Sequence, residues 1–253
     1  MGARTPGRRV IGRALRAQAR DVGGDLVLLG AAVAALVISL PLAASIPSEL
    51  ADAPAGVRDT LTAPLHTVLA TSAAVLAAVY GSFRYTVDRR DGVIAQRLML
   101  LPRWAVLLVR LPTSAIGGAA VALVALLGGH VVLWATMGGI PLDAAAVGAT
   151  LALGALAGLW GVGIGMIVQA HLVALFVTSL SLGVATLVAL FWSAGAASLP
   201  LLAFLQTLGF DVTAVGLSTG DQLYGLLPAG LTAAWVLAAV GGGSLAFLSR
   251  DVT

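Results

Sequence analysis

The sequence predicts an all-α, polytopic membrane protein with six transmembrane helices. Of its 253 residues, 59% are hydrophobic and only 10% are charged, and the mean hydropathy is +1.02. The apolar residues run in stretches of about twenty, the length of helix that crosses the hydrocarbon core of a bilayer. Polar and apolar positions do not alternate along them, and lipid offers no partner for backbone N–H and C=O groups. These stretches are therefore expected to be helices and not barrel strands.

The six expected spans form a single transmembrane domain over residues 1–253. They cover approximately 25–45, 61–83, 105–136, 144–168, 172–194 and 227–249. The segment 195–226 is too long for a turn, and we expect short helices there that dip into the outer leaflet. Those helices would cap the mouth of a pathway or only cover the bundle. Four glycines at helical spacing in the fourth span are expected to let another helix approach closely: Gly154, Gly158, Gly161 and Gly165.

The charges segregate across these spans. Thirteen of the fourteen arginines fall on one side, and Arg58 is the exception. With the acidic residues included, the two sides carry formal charges of +8 and −5, which agree with the net charge of +3. Because basic residues are retained on cytoplasmic loops, the sequence predicts a multi-pass protein of the cell membrane with both termini in the cytoplasm.

The N-terminal segment 5–22 is rich in arginine and favours an amphipathic helix on the membrane surface. Such a helix would lead into the first span, held by apolar burial and by anionic lipid headgroups. The alternative is a disordered basic tail that only enforces the topology. Four arginines share one helical face, and three apolar residues share the opposite face: Arg9, Arg13, Arg16 and Arg20 against Ile11, Leu15 and Val22.

Two absent residue types exclude several chemistries. The chain has no Cys and therefore no disulfide, zinc-thiolate site or thiol nucleophile. It also has no Lys, which excludes a phosphate-binding P-loop and a Schiff-base mechanism. The three histidines stand alone, so no metal site is predicted. The chain is not expected to be an enzyme, and any ATP that it uses must be hydrolysed by another chain.

A charged block, 84–104, separates the second and third spans and has the pattern of a short helix. Asp91 is expected to cap its N-terminus, and Pro102 is expected to end it by disfavouring helical geometry at Leu101. An apolar stripe would hold it to the bundle: Ile94, Leu98 and Leu101. Four arginines are expected to stay in water: Arg89, Arg90, Arg97 and Arg103.

With these features the chain resembles the membrane (permease) subunit of type 2 ATP-binding-cassette (ABC) exporters. That family has a cytoplasmic interfacial helix, six spans, an acidic-basic-Gly segment after the second span, a short coupling helix, and Pro plus Arg before the third span. The corresponding elements here are 5–22, Asp88-Arg89-Arg90-Asp91-Gly92, 93–101, and Pro102-Arg103. The closing Ser249-Arg250-Asp251-Val252 is also similar to the ends of many members.

The resemblance implies that this chain pairs with a second permease subunit, identical or paralogous, and with two cytoplasmic ABC ATPase subunits that bind ATP and Mg. The chain itself would hold no cofactor and bind no nucleic acid. Its coupling contacts to the ATPase would come from the charged block: Asp88, Arg89, Arg90, Asp91, Gly92, Ile94, Arg97, Leu98, Pro102 and Arg103. Closure of the ATPases would push this helix and switch the pathway.

The second and fifth spans, which the resemblance assigns to the pathway, carry hydroxyl groups. Three lie in each span: Thr67, Thr71 and Ser72, and Thr178, Ser179 and Ser181. They could line a translocation path, or they could bond back to carbonyls of their own helix. The expected substrate is a lipophilic small molecule or a lipid, because the predicted external loops are too short to form a domain that selects a polymer.

Three other functions are weighed against an exporter. A secondary transporter would usually show inverted repeats and acidic residues well inside the spans, and neither is evident. A membrane scaffold is not excluded by any residue. An intramembrane serine protease would need a His after its Ser, and no His follows Ser218 in the G-x-S-x-G match at 216–220.

Overall fold

A computed structural model describes residues 25–45, 54–137 and 143–250. Within these ranges every regular element is a helix, and none is a strand. The chain is thus all-α, as predicted. The expected interfacial helix at 5–22 lies outside the described residues.

Nine α-helices follow one another along the described chain. They are α1 (Leu26–Ala44), α2 (Ala55–Arg90), α3 (Val93–Leu100), α4 (Arg103–Met137), α5 (Ala144–Val168), α6 (His171–Ala189), α7 (Ser193–Ala196), α8 (Pro200–Thr207) and α9 (Leu227–Ser249). Six of them, α1, α2, α4, α5, α6 and α9, are long and apolar enough to cross a membrane. Each of the six coincides with one predicted span, which is the architecture of a multi-pass membrane protein.

Two helix ends differ from the sequence prediction. The helix α2 continues to Arg90, two turns past the expected end at residue 83, so only 91–102 connects it to α4. The added turns carry Arg84 and Asp88, whose side chains form ion pairs with Asp25 and Arg110 in the bundle. The helix α6 ends at Ala189, not near residue 194, because Trp192 leaves helical geometry with φ −151° and ψ 80°.

Contacts between helix ends define a basic end of the bundle. Arg103 Nη1 donates to the carbonyl of Leu248 at 3.0 Å, and Arg250 Nη1 donates to that of Ile167 at 2.9 Å. The end of α9, the end of α5 and the start of α4 therefore meet. All arginine side chains that the structure describes lie at this end: Arg84, Arg89, Arg90, Arg97, Arg103, Arg110 and Arg250.

The opposite, acidic end carries Asp143, Asp211 and Asp221. Asp143 precedes α5, whose 25 residues place it about 37 Å from the basic end. Asp211 and Asp221 lie in the connection before α9. The segregation of charge predicted from the sequence is therefore present in the described side chains.

The helix α5 lies at the centre of the bundle, where it packs against α2, α4 and α9. Glycines make this close packing possible, because a Cβ at Gly161 would overlap the carbonyl of Ala78, and one at Gly158 would overlap that of Ser114. On the α9 side, a Cβ at Gly243 would overlap the carbonyl of Gly163, and one at Gly163 would overlap that of Ala239. Small residues thus hold the central helices together by direct van der Waals contact between backbones.

In the segment between α6 and α9, the short helix α8 is buried in the bundle, whereas the two ends of the segment are exposed, with Phe191 and Leu226 the most exposed. Residues 200–205 of α8 are all buried, and Phe204 packs edge-to-face on Trp160. Polar groups close the segment: Gln206 Oε1 accepts from the backbone N–H of Leu223 at 2.8 Å, and Trp235 Nε1 donates to the carbonyl of Ser198 at 2.8 Å. Helix α8 therefore fills the space between the long helices toward the acidic end.

Gly161→Ala should destabilise the protein, because the added methyl group must push α2 away from α5. We expect a loss of about 1–3 kcal/mol in the free energy of unfolding, measured as a lower thermal unfolding midpoint in detergent. The matched control is Gly148→Ala in the same helix, where a Cβ meets nothing within 4 Å. Equal midpoints for the two variants would contradict this account of the packing.

Candidate functional site

The turn between α2 and α3 depends on a glycine. Gly92 has φ 74°, in the left-handed region that glycine adopts at little cost, and it is the N-cap residue of α3. The predicted N-cap role of Asp91 is wrong. Asp91 instead ends α2, with its backbone N–H donating to the carbonyl of Val87 at 2.9 Å, and its side chain is exposed. The connection is so short that the capping position needs positive φ, which favours glycine over aspartate.

One face of α3 is anchored in the bundle. Ile94 is fully buried in a cluster that includes Tyr85, Val106 and Phe247. Leu98 and Leu101 pack against the same cluster and are partly buried. The predicted apolar stripe therefore holds α3 to α2, α4 and α9, and the helix ends before Pro102, where Leu101 is extended (φ −136°, ψ 142°).

The other face of α3 is open. Met99 and Leu100 are 84% and 85% exposed, far more than most apolar side chains of the bundle. Beside them Leu98, Pro102 and Arg103 line an open cavity of about 420 Å³. A helix fixed on one side and apolar on the other presents a contact surface at the basic end.

The arginine side chains around α3 are less exposed to solvent than the sequence predicted. Arg90 is exposed, as expected, but Arg89, Arg97 and Arg103 are half-buried. Arg103 Nη1 donates to the carbonyls of Leu248 and Arg250, at 3.0 and 3.1 Å. These carbonyls belong to the C-terminus of α9, where a cation is favoured by the helix dipole. Arg103 thus ties α4 to α9.

A buried ion pair lies where α1 begins. Arg84 of α2 contacts the carboxylate of Asp25, and both side chains are less than 8% exposed. Tyr80 links them, accepting from Arg84 Nη1 at 2.8 Å and donating to Asp25 Oδ2 at 3.2 Å. The other carboxylate oxygen of Asp25 accepts from the N–H groups of Val27 and Leu28 and so caps α1. Asp25 therefore fixes the start of α1 to α2.

A second buried ion pair joins α2 to α4. Arg110 Nη2 donates to Asp88 Oδ2 at 2.7 Å and to the carbonyl of Arg84 at 3.2 Å. Its guanidinium lies 5.0 Å from the centre of the Tyr85 ring, within range of a cation–π interaction. Arg110 is only 3% exposed, and its Nε and Nη1 find no hydrogen-bond partner in the described ranges. Asp88 therefore provides the one carboxylate that pairs with this buried cation among the described residues.

The sequence did not predict these two ion pairs, because the paired residues lie far apart along the chain. The signal that could have found them is the spacing of Tyr80, Arg84 and Asp88. Residues four apart share one face of a helix, so three polar residues in an apolar stretch mark a polar stripe. Arg84 and Arg110 were expected only to set the topology, whereas both side chains are buried inside the bundle.

The predicted path hydroxyls do not converge on one channel. Ser72 donates to the carbonyl of Leu69 at 2.8 Å, and Ser181 donates to that of Thr178 at 2.8 Å, each within its own helix. The hydroxyls of Thr71 and Thr178 are buried without a partner in the described ranges.

The register of α2 against α6 separates the two unpartnered threonines. Thr86 Oγ1 lies 2.8 Å from His171 Nδ1 and fixes these antiparallel helices, so Thr71 and Thr178 are offset by about 12 Å along the axis. Of the other two predicted path residues, Ser179 is half-buried, whereas Thr67 faces a cavity at the acidic end.

Comparisons of the chain with family models, with curated proteins and with solved structures find no match.

Asp88→Asn should destabilise the basic end, because it leaves the Arg110 cation buried without a counter-ion. Breaking a buried pair costs about 3–5 kcal/mol, and we expect a thermal unfolding midpoint lower by at least roughly 5 °C. Asp91→Asn is the matched control, since that carboxylate is exposed three residues away. Partial recovery in Asp88→Asn/Arg110→Met would assign the loss to the pair. Equal midpoints for the two single variants would refute the assignment.

Proposed function

We propose that this chain is the transmembrane subunit of an ATP-driven exporter of the type 2 ABC class. The proposal is carried by α3, a short helix with Ile94 buried in the bundle while Met99 and Leu100 stand exposed at the basic end. That combination is what a coupling helix requires, because it must receive a partner on one side and transmit displacement on the other. The similarity of 88–103 to the family's coupling segment supports it.

The coupling helix transmits force through the cluster beneath it. Ile94 shares this cluster with Tyr85 of α2, Val106 of α4 and Phe247 of α9, so a push on α3 reaches three spans at once. Close-packed interiors respond to such a push by switching between arrangements and not by deforming gradually. Binding of the partner then selects one arrangement through its differential contacts.

The partner is an ABC ATPase in two copies, and it binds the ATP and Mg. The chain has no Lys from which to build a P-loop of its own. The basic end faces the cytoplasm under the positive-inside rule, which brings Arg89, Arg90 and Arg97 to the side where ATP is available. These arginines favour a docking surface with acidic residues. The protein resides in the cell membrane with both termini inside.

The proposed substrate is a lipophilic small molecule or a lipid. An open groove of about 390 Å³ runs between α1, α2 and α6, with apolar walls that include Val27, Ala34, Leu76 and Leu175. It lies within the membrane-spanning part of these helices, where a lipophilic molecule can enter from the bilayer. A second permease subunit covers the exposed apolar faces of α1 and α6 and completes the pathway.

The docking role of α3 predicts that Met99→Gln/Leu100→Gln releases the ATPase. The side chains of Met99 and Leu100 should form the buried centre of the interface. Truncating a hot-spot residue at such a centre costs about 2 kcal/mol or more of binding free energy. The chain is affinity-purified in mild detergent from its native cells, and mass spectrometry quantifies any co-purified protein with a P-loop. We expect a stoichiometric ATPase with the unchanged chain and at least about a tenfold loss with the variant.

The matched control is Leu226→Gln, an equally conservative change at a residue that is 87% exposed. Leu226 precedes α9, whose far end contacts Arg103, so it lies at the opposite end of the bundle. This variant should retain the ATPase. If the unchanged chain recovers no P-loop protein even after crosslinking, the exporter proposal fails and a secondary carrier or scaffold takes its place.

A further inference from the structure

Exposed aromatic side chains gather at the acidic end of the bundle. Trp134 lies near the end of α4, Phe191 and Trp192 follow α6, and Tyr224 precedes α9. All four are between 61% and 90% exposed. They come from three separate parts of the chain, so their heights along the bundle axis have to be compared through contacts between the helices.

The contact between Thr86 and His171, which sets the register of α2 against α6, also sets the height of Trp192. Trp192 lies 21 residues beyond His171, and Leu65 lies 21 residues from Thr86 in the same direction along the bundle. With the rise of an α-helix, both residues lie about 30 Å from that contact. Leu65 of α2 and Trp192 therefore stand at similar heights.

Leu65 connects this height to the end of α4. It packs against a cluster formed by Ala43 and Leu133, and Leu133 is the neighbour of Trp134. Trp134 in turn lies 30 residues beyond Trp104 in the same helix, a distance of about 45 Å. A bilayer with its two interfacial regions is about 40–45 Å thick. Trp104 is also exposed, at the basic end, so these two side chains of α4 are separated by the thickness of a membrane.

A hydrogen bond brings Tyr224 close to Trp192. Ser193 Oγ donates to the carboxylate of Asp221, and Asp221 precedes Tyr224 by three residues, which span about 10 Å at most. The Trp192 ring packs so closely on Gly195 that an added Cβ there would overlap it, so the ring is held in place. The exposed aromatic side chains of the acidic end therefore form one band across three helices.

The other two tryptophans of the chain face the interior of the bundle. Trp160 Nε1 donates to Ser181 Oγ at 2.9 Å. Trp235 Nε1 donates to the carbonyl of Ser198 at 2.8 Å. On the outside of a membrane protein, Trp and Tyr favour the boundary between hydrocarbon and water, because each combines an apolar ring with a polar group. Phe176, an exposed ring away from the ends of α6, has no polar group and suits the hydrocarbon itself.

We propose that Trp134, Phe191, Trp192 and Tyr224 form an interfacial belt that binds the headgroup and carbonyl region of the membrane leaflet at the acidic end. The rings pack between the upper parts of the acyl chains, and the Trp N–H and Tyr O–H groups donate to lipid oxygens and to water. Together with Trp104 at the opposite boundary, the belt fixes how deeply the bundle sits in the bilayer. The belt needs no ATPase, so it is separate from the proposed coupling at α3.

The test locates the tryptophans by fluorine NMR of the full-length chain, labelled with fluorotryptophan, in phospholipid nanodiscs. Trp104→Phe, Trp134→Phe and Trp192→Phe each assign one signal, and the remaining two belong to the interior. A lipid with a spin label beside the acyl carbonyl should broaden the Trp134 and Trp192 signals at least about twofold more than a lipid labelled at the chain terminus, since the two labels differ in depth within the hydrocarbon core. The interior signals should change little with either lipid.

Leu180→Trp is the matched control. Leu180 is exposed on α6, 12 residues before Trp192, which places it about 18 Å from the belt and close to the middle of the hydrocarbon core. The new signal in Leu180→Trp should be broadened more by the label at the chain terminus. If the Trp134 and Trp192 signals follow that pattern, or show no preference, the band lies in the hydrocarbon or at no defined depth. If only a water-soluble gadolinium chelate broadens them, the band lies outside the membrane. Each of these results would overturn the proposal.

Discussion

The pairing of four buried or half-buried charges at one end of the bundle is the constraint on which the rest of the arrangement depends. Asp25, Arg84, Asp88 and Arg110 come from α1, α2 and α4, and their charges are neutralised only when these helices stand together. Removing an ion from water costs several kcal/mol, so separating α2 from α4 here would take Arg110 away from the carboxylate of Asp88. The basic end is therefore a fixed block. Ile94 seats α3 on these helices, so the proposed push on α3 would reach them together.

The spans differ in how tightly they are held. The helices α2, α4 and α5 are half-buried or nearly so and are packed through glycines, whereas α1, α6 and α9 bury about a quarter of their apolar windows or less. Regions with few buried contacts open at the lowest cost. The groove between α1, α2 and α6 is bordered by two of these weakly held helices, α1 and α6. The switch proposed for α3 would act at these weakly held helices, which are also where the proposed lipophilic substrate and second subunit would bind.

The sequence predicts the fold better than the site. Long apolar stretches and the segregation of arginine give the six helices, and the stripe of Ile94 and Leu98 gives the anchored face of α3, because these signals are local and periodic. The role of Asp91 is wrong because a two-residue turn needs positive φ at Gly92, a tertiary demand that overrides capping preference. The partnership of Arg110 with Asp88 joins residues 22 apart, which no helical period reveals. The similar heights of Trp134 and Trp192 likewise follow only from contacts between distant segments.

The central claim is that a cytoplasmic ATPase binds α3. Because the chain has no cysteine, a single introduced thiol can test this claim at a chosen residue. Met99→Cys introduces a single thiol on the exposed face of α3, and Leu226→Cys introduces one at the opposite end. In native membranes, a bifunctional thiol-to-amine reagent followed by mass spectrometry identifies what lies beside each thiol. The account predicts that position 99 captures a P-loop ATPase and that position 226 does not. Capture of no ATPase at position 99, while a maleimide label proves that thiol accessible, would contradict it.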